Sequence, residues 1–186
     1  AADYYATGDF LKEKPLQHVG TIQDVQTYKD LYEQGEIYQS IDHYRKSIYP
    51  HPDLHTVTDI NTLRTELFIE AEQNLKKHRY ESLFYVEAPT GGGKTNISIN
   101  LALKLLEMNT DLNKIVYVFP FNTLVEQTYK TLRSHFDLPD DIAVLNSITP
   151  MLERMVKNEE QEFSTDFEQT LLDRQFLHYP IVLTSH

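Results

Sequence analysis

The chain has no cysteine and no tryptophan, and only 6 of its 186 residues are glycine. Without cysteine there can be no disulfide scaffold and no thiolate-bound zinc or iron–sulfur site. Long apolar runs are missing too. None approaches the roughly 18 residues a membrane helix needs, and the N-terminal stretch does not read as a signal peptide. A soluble, cytoplasmic protein with no membrane partner is expected. Basic residues are also short: 17 Lys and Arg stand against 28 Asp and Glu, a net charge of −11. The deficit runs evenly along the chain, which argues against a separate acidic tail and against a basic clamp for nucleic acid. Any nucleic acid held here would have to be gripped by backbone N–H groups, hydroxyls and helix N-termini, or by basic surface from elsewhere. The sequence begins at Ala1 without methionine and reaches a strand-like run at Ile181-Val182-Leu183. We therefore expect a piece of a longer polypeptide, about one domain of roughly 150 residues with an appended segment.

Two grammars follow one another along the chain. Val25, Tyr28, Leu31 and Tyr32 recur at helical spacing, and Gly35 suits a left-handed position beyond that helix. Ile37, Ile41, Tyr44 and Ile48 mark a second helix, stopped by Pro50 and Pro52. A linker is expected over 50–59. Leu63, Leu67, Phe68, Ala71 and Leu75 then line one face of an amphipathic helix, with Asp59 or Asn61 as its N-cap. From Leu83 the pattern becomes strand–helix alternation. Leu83-Phe84-Tyr85-Val86 reads as a strand buried on both faces, and Ile115 to Phe119, Ala143-Val144-Leu145 and Ile181-Val182-Leu183 as further strands. Helices are expected over 95–107, on Val125, Tyr129, Leu132 and Phe136, and around Phe167, Leu171 and Leu172. Alternation of this kind predicts an α/β fold with a parallel sheet and flanking helices over 83–186, preceded by a helical segment.

The strongest chemical signal is Ala88-Pro89-Thr90-Gly91-Gly92-Gly93-Lys94-Thr95, half of the chain's glycines in one turn between a strand and a helix. Amides of such a turn converge on an anion only where no side chain intervenes and positive φ is allowed. The following helix adds its unpaired N–H groups and the positive end of its dipole. This is the pattern of a P-loop with alanine in place of the first glycine. It casts Pro89, Thr90, Gly91, Gly92 and Gly93 as the cradle for ATP, Lys94 as the contact to the β- and γ-phosphates, and Thr95 as a hydroxyl on Mg²⁺.

The segment 88–95 resembles motif I of superfamily 2 helicases. Phe119-Pro120-Phe121-Asn122-Thr123-Leu124-Val125-Glu126-Gln127 is similar to their motif Ia, and Pro180-Ile181-Val182-Leu183-Thr184 to a later strand that grips the nucleic-acid backbone. With Leu63-Arg64-Thr65-Glu66, these words are closest to the helicase–nuclease of type I CRISPR interference. Ala1 to Gly8 resembles the last helix of the HD-type nuclease domain of that branch. The resemblance implies three regions: 1–49 as the end of the nuclease domain, 50–82 as linker and helix, and 83–186 as the first part of RecA-like domain 1. It implies an ATP-dependent helicase or translocase on single-stranded DNA, using ATP and Mg²⁺. Pro120, Asn122, Thr123 and Thr184 would touch the DNA backbone. Asp3 would be a metal residue of the upstream nuclease, which would take a divalent transition metal. The partner implied is an RNA-guided surveillance complex of a type I CRISPR system, which opens the DNA. A helicase-like ATPase of restriction or DNA repair, and a nucleotide-binding interaction module that never hydrolyses, are the alternatives.

The sequence also departs from that pattern. Asn122 stands where many such helicases carry arginine, so a charge-assisted phosphate contact becomes a neutral one. Arg64 falls near the position of the adenine-reading glutamine, which leaves base recognition unassigned. Asp140-Asp141 and Glu159-Glu160 do not resemble the Mg²⁺-holding carboxylates of a Walker B strand. Hydrolysis by this chain alone is therefore not expected. Other constellations read as ordinary structure. Prolines flank His51, so His51 and His55 do not form a helical metal pair. Asp42-His43 reads as a solvated helix face, and the acidic stretch Glu153 to Asp173 as another. Tyr28, Tyr32 and Tyr44 fit helix packing better than base stacking.

Overall fold

The computed structural model describes residues 20–47, 51–138, 141–145 and 177–185. Two compact units divide them: residues 24–112 form one, and residues up to Gln23 together with those from Asn113 onward form the other.

The unit over 24–112 is helical. Asp24 accepts from the Gln26 amide and starts α1 (Val25–Glu33). Helix α2 (Glu36–Ser47) follows with a single intervening turn. A 3₁₀ turn at Leu54–Thr56, capped by Asp53, leads to α3 (Ile60–Lys77), whose N-cap is Asp59, bonded to both the amide and the hydroxyl of Thr62. Helix α4 (Lys94–Met108) closes the unit. Tyr28 and Tyr32 of α1, Ile41 of α2, Phe68, Ile69 and Leu75 of α3, and Ile97, Ile99, Leu103 and Leu106 of α4 are all buried. The tyrosines of α1 pack as the helical spacing predicts. Tyr32 stands edge-on to Tyr38 with ring centroids 5.6 Å apart, and Tyr38 meets Phe68 in the same manner. Helix α4 is buried on several sides, as its double apolar stripe requires.

Three expectations for this unit need correction. Gly35 does not adopt positive φ. Its carbonyl accepts from the Gln39 amide, so it opens α2 at once, and a left-handed residue there would turn the chain away from a second helix. The buried stripe of α3 is rotated, because Glu66 and Glu72 are inside while Leu63, Leu67 and Ala71 are half-buried. The carboxylates are inside because they have partners. Tyr44 donates to Glu66 at 2.5 Å, and Arg45 and Lys76 hold Glu72 at 2.9 and 2.7 Å. The largest departure is Leu83 to Val86, which forms no strand and pairs with none among the described residues. Leu83 is 89% and Tyr85 87% exposed. An apolar, partly β-branched run has the composition of an inner strand. Pairing needs neighbours with free edges, which composition does not encode.

The other unit carries the sheet. Strands β1 (Ile115–Phe119), β2 (Ile142–Leu145) and β3 (Ile181–Ser185) are parallel, in the order β1-β3-β2, with Ile181 opposite both Ile115 and Ile142. The strand order puts β3 in the middle, and Ile181, Val182 and Leu183 are fully buried. An all-apolar β3 is thereby explained, since an inner strand of a parallel sheet faces protein on both sides. Edge strand β1 alternates instead, with Val116 and Val118 exposed. Helix α5 (Asn122–His135) lies against all three strands through buried Val125, Thr128 and Leu132, with Phe136 just beyond its end. The Ile22 amide donates to the Asn113 carbonyl at 2.6 Å, joining the N-terminal stretch of this unit to its later part.

Strand, helix and strand in parallel arrangement, with helices before them, make this chain part of a RecA-like P-loop fold. The expected helix around Phe167, Leu171 and Leu172 lies outside the described residues, as do Ile48, Asp140, the acidic stretch to Asp173, and Asp3. Among the described residues no helix is long and apolar enough to cross a membrane.

Candidate functional site

Within the helical unit, residues 88–95 curl into a tight loop at the N-terminus of α4. Gly91 and Gly93 have φ of +78° and +81°, a conformation that costs any residue with a Cβ roughly 1–2 kcal/mol. Gly92 is needed for a different reason: a Cβ there would stand 3.0 Å from the Pro89 carbonyl oxygen and 3.3 Å from the Ala88 methyl. The Gly92 amide donates to that same carbonyl at 3.0 Å, which closes the turn. Gly93 is the N-cap of α4 and supplies no side-chain cap, so the first amides of the helix have no side chain to satisfy them. The first helical bond runs from the Ile97 amide to the Gly93 carbonyl. Lys94 is exposed, and its Nζ lies 3.3 Å from the Pro89 carbonyl, folded back over the loop. Thr95 follows in the first turn of the helix.

The loop is braced by α1 and α3. Tyr32 donates its hydroxyl to the Asn96 carbonyl at 3.1 Å, so the buried face of α1 anchors the start of α4. Arg64 of α3 donates Nε–H to the Gly91 carbonyl at 2.6 Å. Helical periodicity picks out Tyr32 as core but says nothing of its hydroxyl, and it leaves Arg64 on the solvent side of α3. Uncapped amides, two left-handed glycines and an exposed lysine fit a phosphate chain, because anions are favoured where unpaired N–H groups and a helix N-terminus converge.

In the sheet unit a second set of residues comes together. Pro120, Phe121, Asn122, Thr123 and Ser185 line an open groove of about 400 Å³ at the ends of β1 and β3. Helix α5 begins here without a side-chain cap. Ser185 donates to the Asn122 side-chain oxygen at 2.7 Å. Phe121 is 66% exposed. Thr184 is turned differently: its hydroxyl donates to the Leu145 carbonyl at 2.7 Å, across the β2–β3 pair. The residue that accompanies Pro120, Asn122 and Thr123 is therefore Ser185. Alternation along a strand is the signal for it, since neighbours on a strand point to opposite faces.

His51, Asp42 and Glu72 serve the packing of the helices. His51 contacts Glu66 at 3.0 Å rather than pairing with His55, and Asp42 pairs with Lys46 one turn on. Among the described residues no group of three metal-ligating side chains comes together. Burial presses the Glu72 carboxyl upward, but the bonds and charges of Lys76 and Arg45 outweigh it and hold the group below its ordinary value.

A family profile of the DEAD/DEAH box helicases matches residues 69–172, more than half of the chain. The chain belongs to the DEAD/DEAH box helicase family. The match takes in the glycine loop, β1, α5 and β2, and membership brings ATP and Mg²⁺ as the family's cofactors and nucleic acid as its binding partner. No curated protein and no solved structure matches the chain.

Proposed function

We propose that this DEAD/DEAH helicase chain is the ATP-binding part of a superfamily 2 translocase that runs on single-stranded DNA, within a CRISPR-associated helicase–nuclease of a type I system. The observation that carries the reading is the curled loop with Gly91 and Gly93 at positive φ, ending at an uncapped helix whose first residue is an exposed lysine. In this reading Pro89 to Gly93 and the first amides of α4 hold the phosphates, Lys94 neutralises their outer end, and Thr95 offers its hydroxyl to Mg²⁺. ATP, when bound, supplies the differential affinity that drives closure of the motor.

DNA backbone would lie along Pro120, Asn122, Thr123 and the end of β3, Thr184 and Ser185. Neutral donors and an uncapped helix end in that groove suit a chain of net charge −11, which has no basic surplus for the task. The division into 1–49, 50–82 and 83–186, the role of Asp3 in a transition-metal nuclease site, the surveillance-complex partner and a cytoplasmic setting belong to the same proposal. They rest on the resemblance of the motifs.

The test is DNA-stimulated ATP hydrolysis by the full-length protein that contains this chain, with and without Lys94→Ala. Turnover that depends on single-stranded DNA and vanishes in the variant supports the proposal. Unchanged turnover in the variant overturns it. ATP bound without hydrolysis at any DNA concentration would favour a non-hydrolysing binding module.

A further inference from the structure

Arg64 is an exposed residue of α3, yet it lies across the phosphate loop. Its Nε–H donates to the Gly91 carbonyl at 2.6 Å, and one NH1 proton goes to the Asn61 side-chain oxygen at 3.1 Å. Its stem passes within 3.8 Å of where a Cβ on Gly93 would stand, and its NH2 lies 3.8 Å from the same position on Gly91. The side chain thus spans both left-handed glycines, its stem at Gly93 and its guanidinium at Gly91. A planar, always-charged fork with five donors has three N–H groups left over after these two bonds. The peptide between Gly91 and Gly92 is clamped at both ends, its carbonyl by Arg64 and its amide by Pro89.

We infer that Arg64 fixes the shape of the phosphate loop and turns its remaining donors to the phosphate chain of the nucleotide, not to the base. This inference rests on the nucleotide-binding reading of residues 88–95. The bond to a main-chain carbonyl consumes Nε, and Asn61 consumes one NH1 proton. The unused NH2 donors remain on the loop itself, 3.8 Å from where a Cβ of Gly91 would stand. A cation in that place adds to Lys94 and does not depend on which base the anion carries.

The test is a titration of ATP, GTP and inorganic tripolyphosphate into the unsubstituted protein, Arg64→Ala and Arg64→Lys, with thermal melting recorded for each. Loss of affinity by a common factor of about tenfold for all three ligands in Arg64→Ala is expected, because a charge-assisted contact is removed. Arg64→Lys should restore less than half of it, since an ammonium cannot bridge the Gly91 carbonyl and the phosphates together. Melting should be unchanged; if Arg64→Ala melts early, the comparison is made on Arg64→Lys alone. Equal affinity in variant and parent overturns the inference, and so does a loss confined to ATP, which would mark Arg64 as a base reader. If the unsubstituted protein binds none of the three, the nucleotide reading itself fails, and that outcome differs from either result on the variants.

Discussion

Ser185 donates its hydroxyl to the Asn122 side chain at 2.7 Å, tying the end of β3 to the first turn of α5 across 63 positions of sequence. This bond fixes the amide of a residue that stands where many superfamily 2 helicases carry arginine. Asn122→Arg should therefore tighten binding of single-stranded DNA and steepen its salt dependence. Each added phosphate contact contributes a slope of about −0.7 in log K against log salt. A fluorescence titration at several salt concentrations measures this, and an unchanged slope would remove Asn122 from the DNA path.

Lys94→Ala removes the loop's terminal cation without touching the core. Affinity for ATP should fall about a hundredfold while the melting temperature holds, because the side chain is exposed. Isothermal calorimetry decides it.

Gly93→Ala tests the loop through its backbone. A Cβ at φ of +81° strains the chain by roughly 1–2 kcal/mol, with space around it for the methyl itself. Nucleotide affinity should drop, with a small loss of stability. Gly92→Ala is the contrasting case, since its methyl would press on the Pro89 carbonyl and open the turn.

The buried carboxylate of Glu72 gives a pH signature. Its folded pKa lies below the ordinary 4.5, so its stabilising contribution is fully present above that pH and fades as pH falls through the lowered value. Urea denaturation from pH 7 to pH 3 should show this loss. Glu72→Gln should flatten the curve over that window and cost about 1–3 kcal/mol at neutral pH, because Arg45 and Lys76 lose a charged partner.

Packing makes two opposite forecasts. Leu132→Ala, on the face of α5 against the sheet, should cost about 2–5 kcal/mol. Leu83→Ser, at an 89% exposed position, should change stability by less than about 0.5 kcal/mol. A large effect at Leu83 in chemical denaturation would return that segment to the interior.

Where one physical rule dominated, the sequence was legible. Periodicity marked α1, α4 and α5 because each buries apolar residues at helical spacing, whereas α2 buries Ile41 and leaves Ile37 exposed. Apolar runs marked β1, β2 and β3, although only the inner β3 is buried over its apolar run and edge strand β1 leaves Val116 and Val118 exposed. The glycine loop was readable because positive φ and close approach admit almost no other residue. What stayed hidden depends on tertiary pairing. Leu83 to Val86 has strand composition but no strand beside it among the described residues. Glu66 and Glu72 look like solvent-facing residues until Tyr44, Arg45 and Lys76 meet them. Ser185 and Arg64 take their places through contacts with residues distant in sequence, and no spacing rule reports that.

Strand β3 fills the gap between β1 and β2, which do not touch one another. Its residues leave the ribosome after both neighbours, so during synthesis two apolar strands and one face of α5 wait for their common partner. Until it arrives they offer sticky edges to other chains. Pauses before 181–185 are made, or truncations that remove them, should therefore send the nascent protein to chaperones or into inclusion bodies rather than yield a smaller folded product.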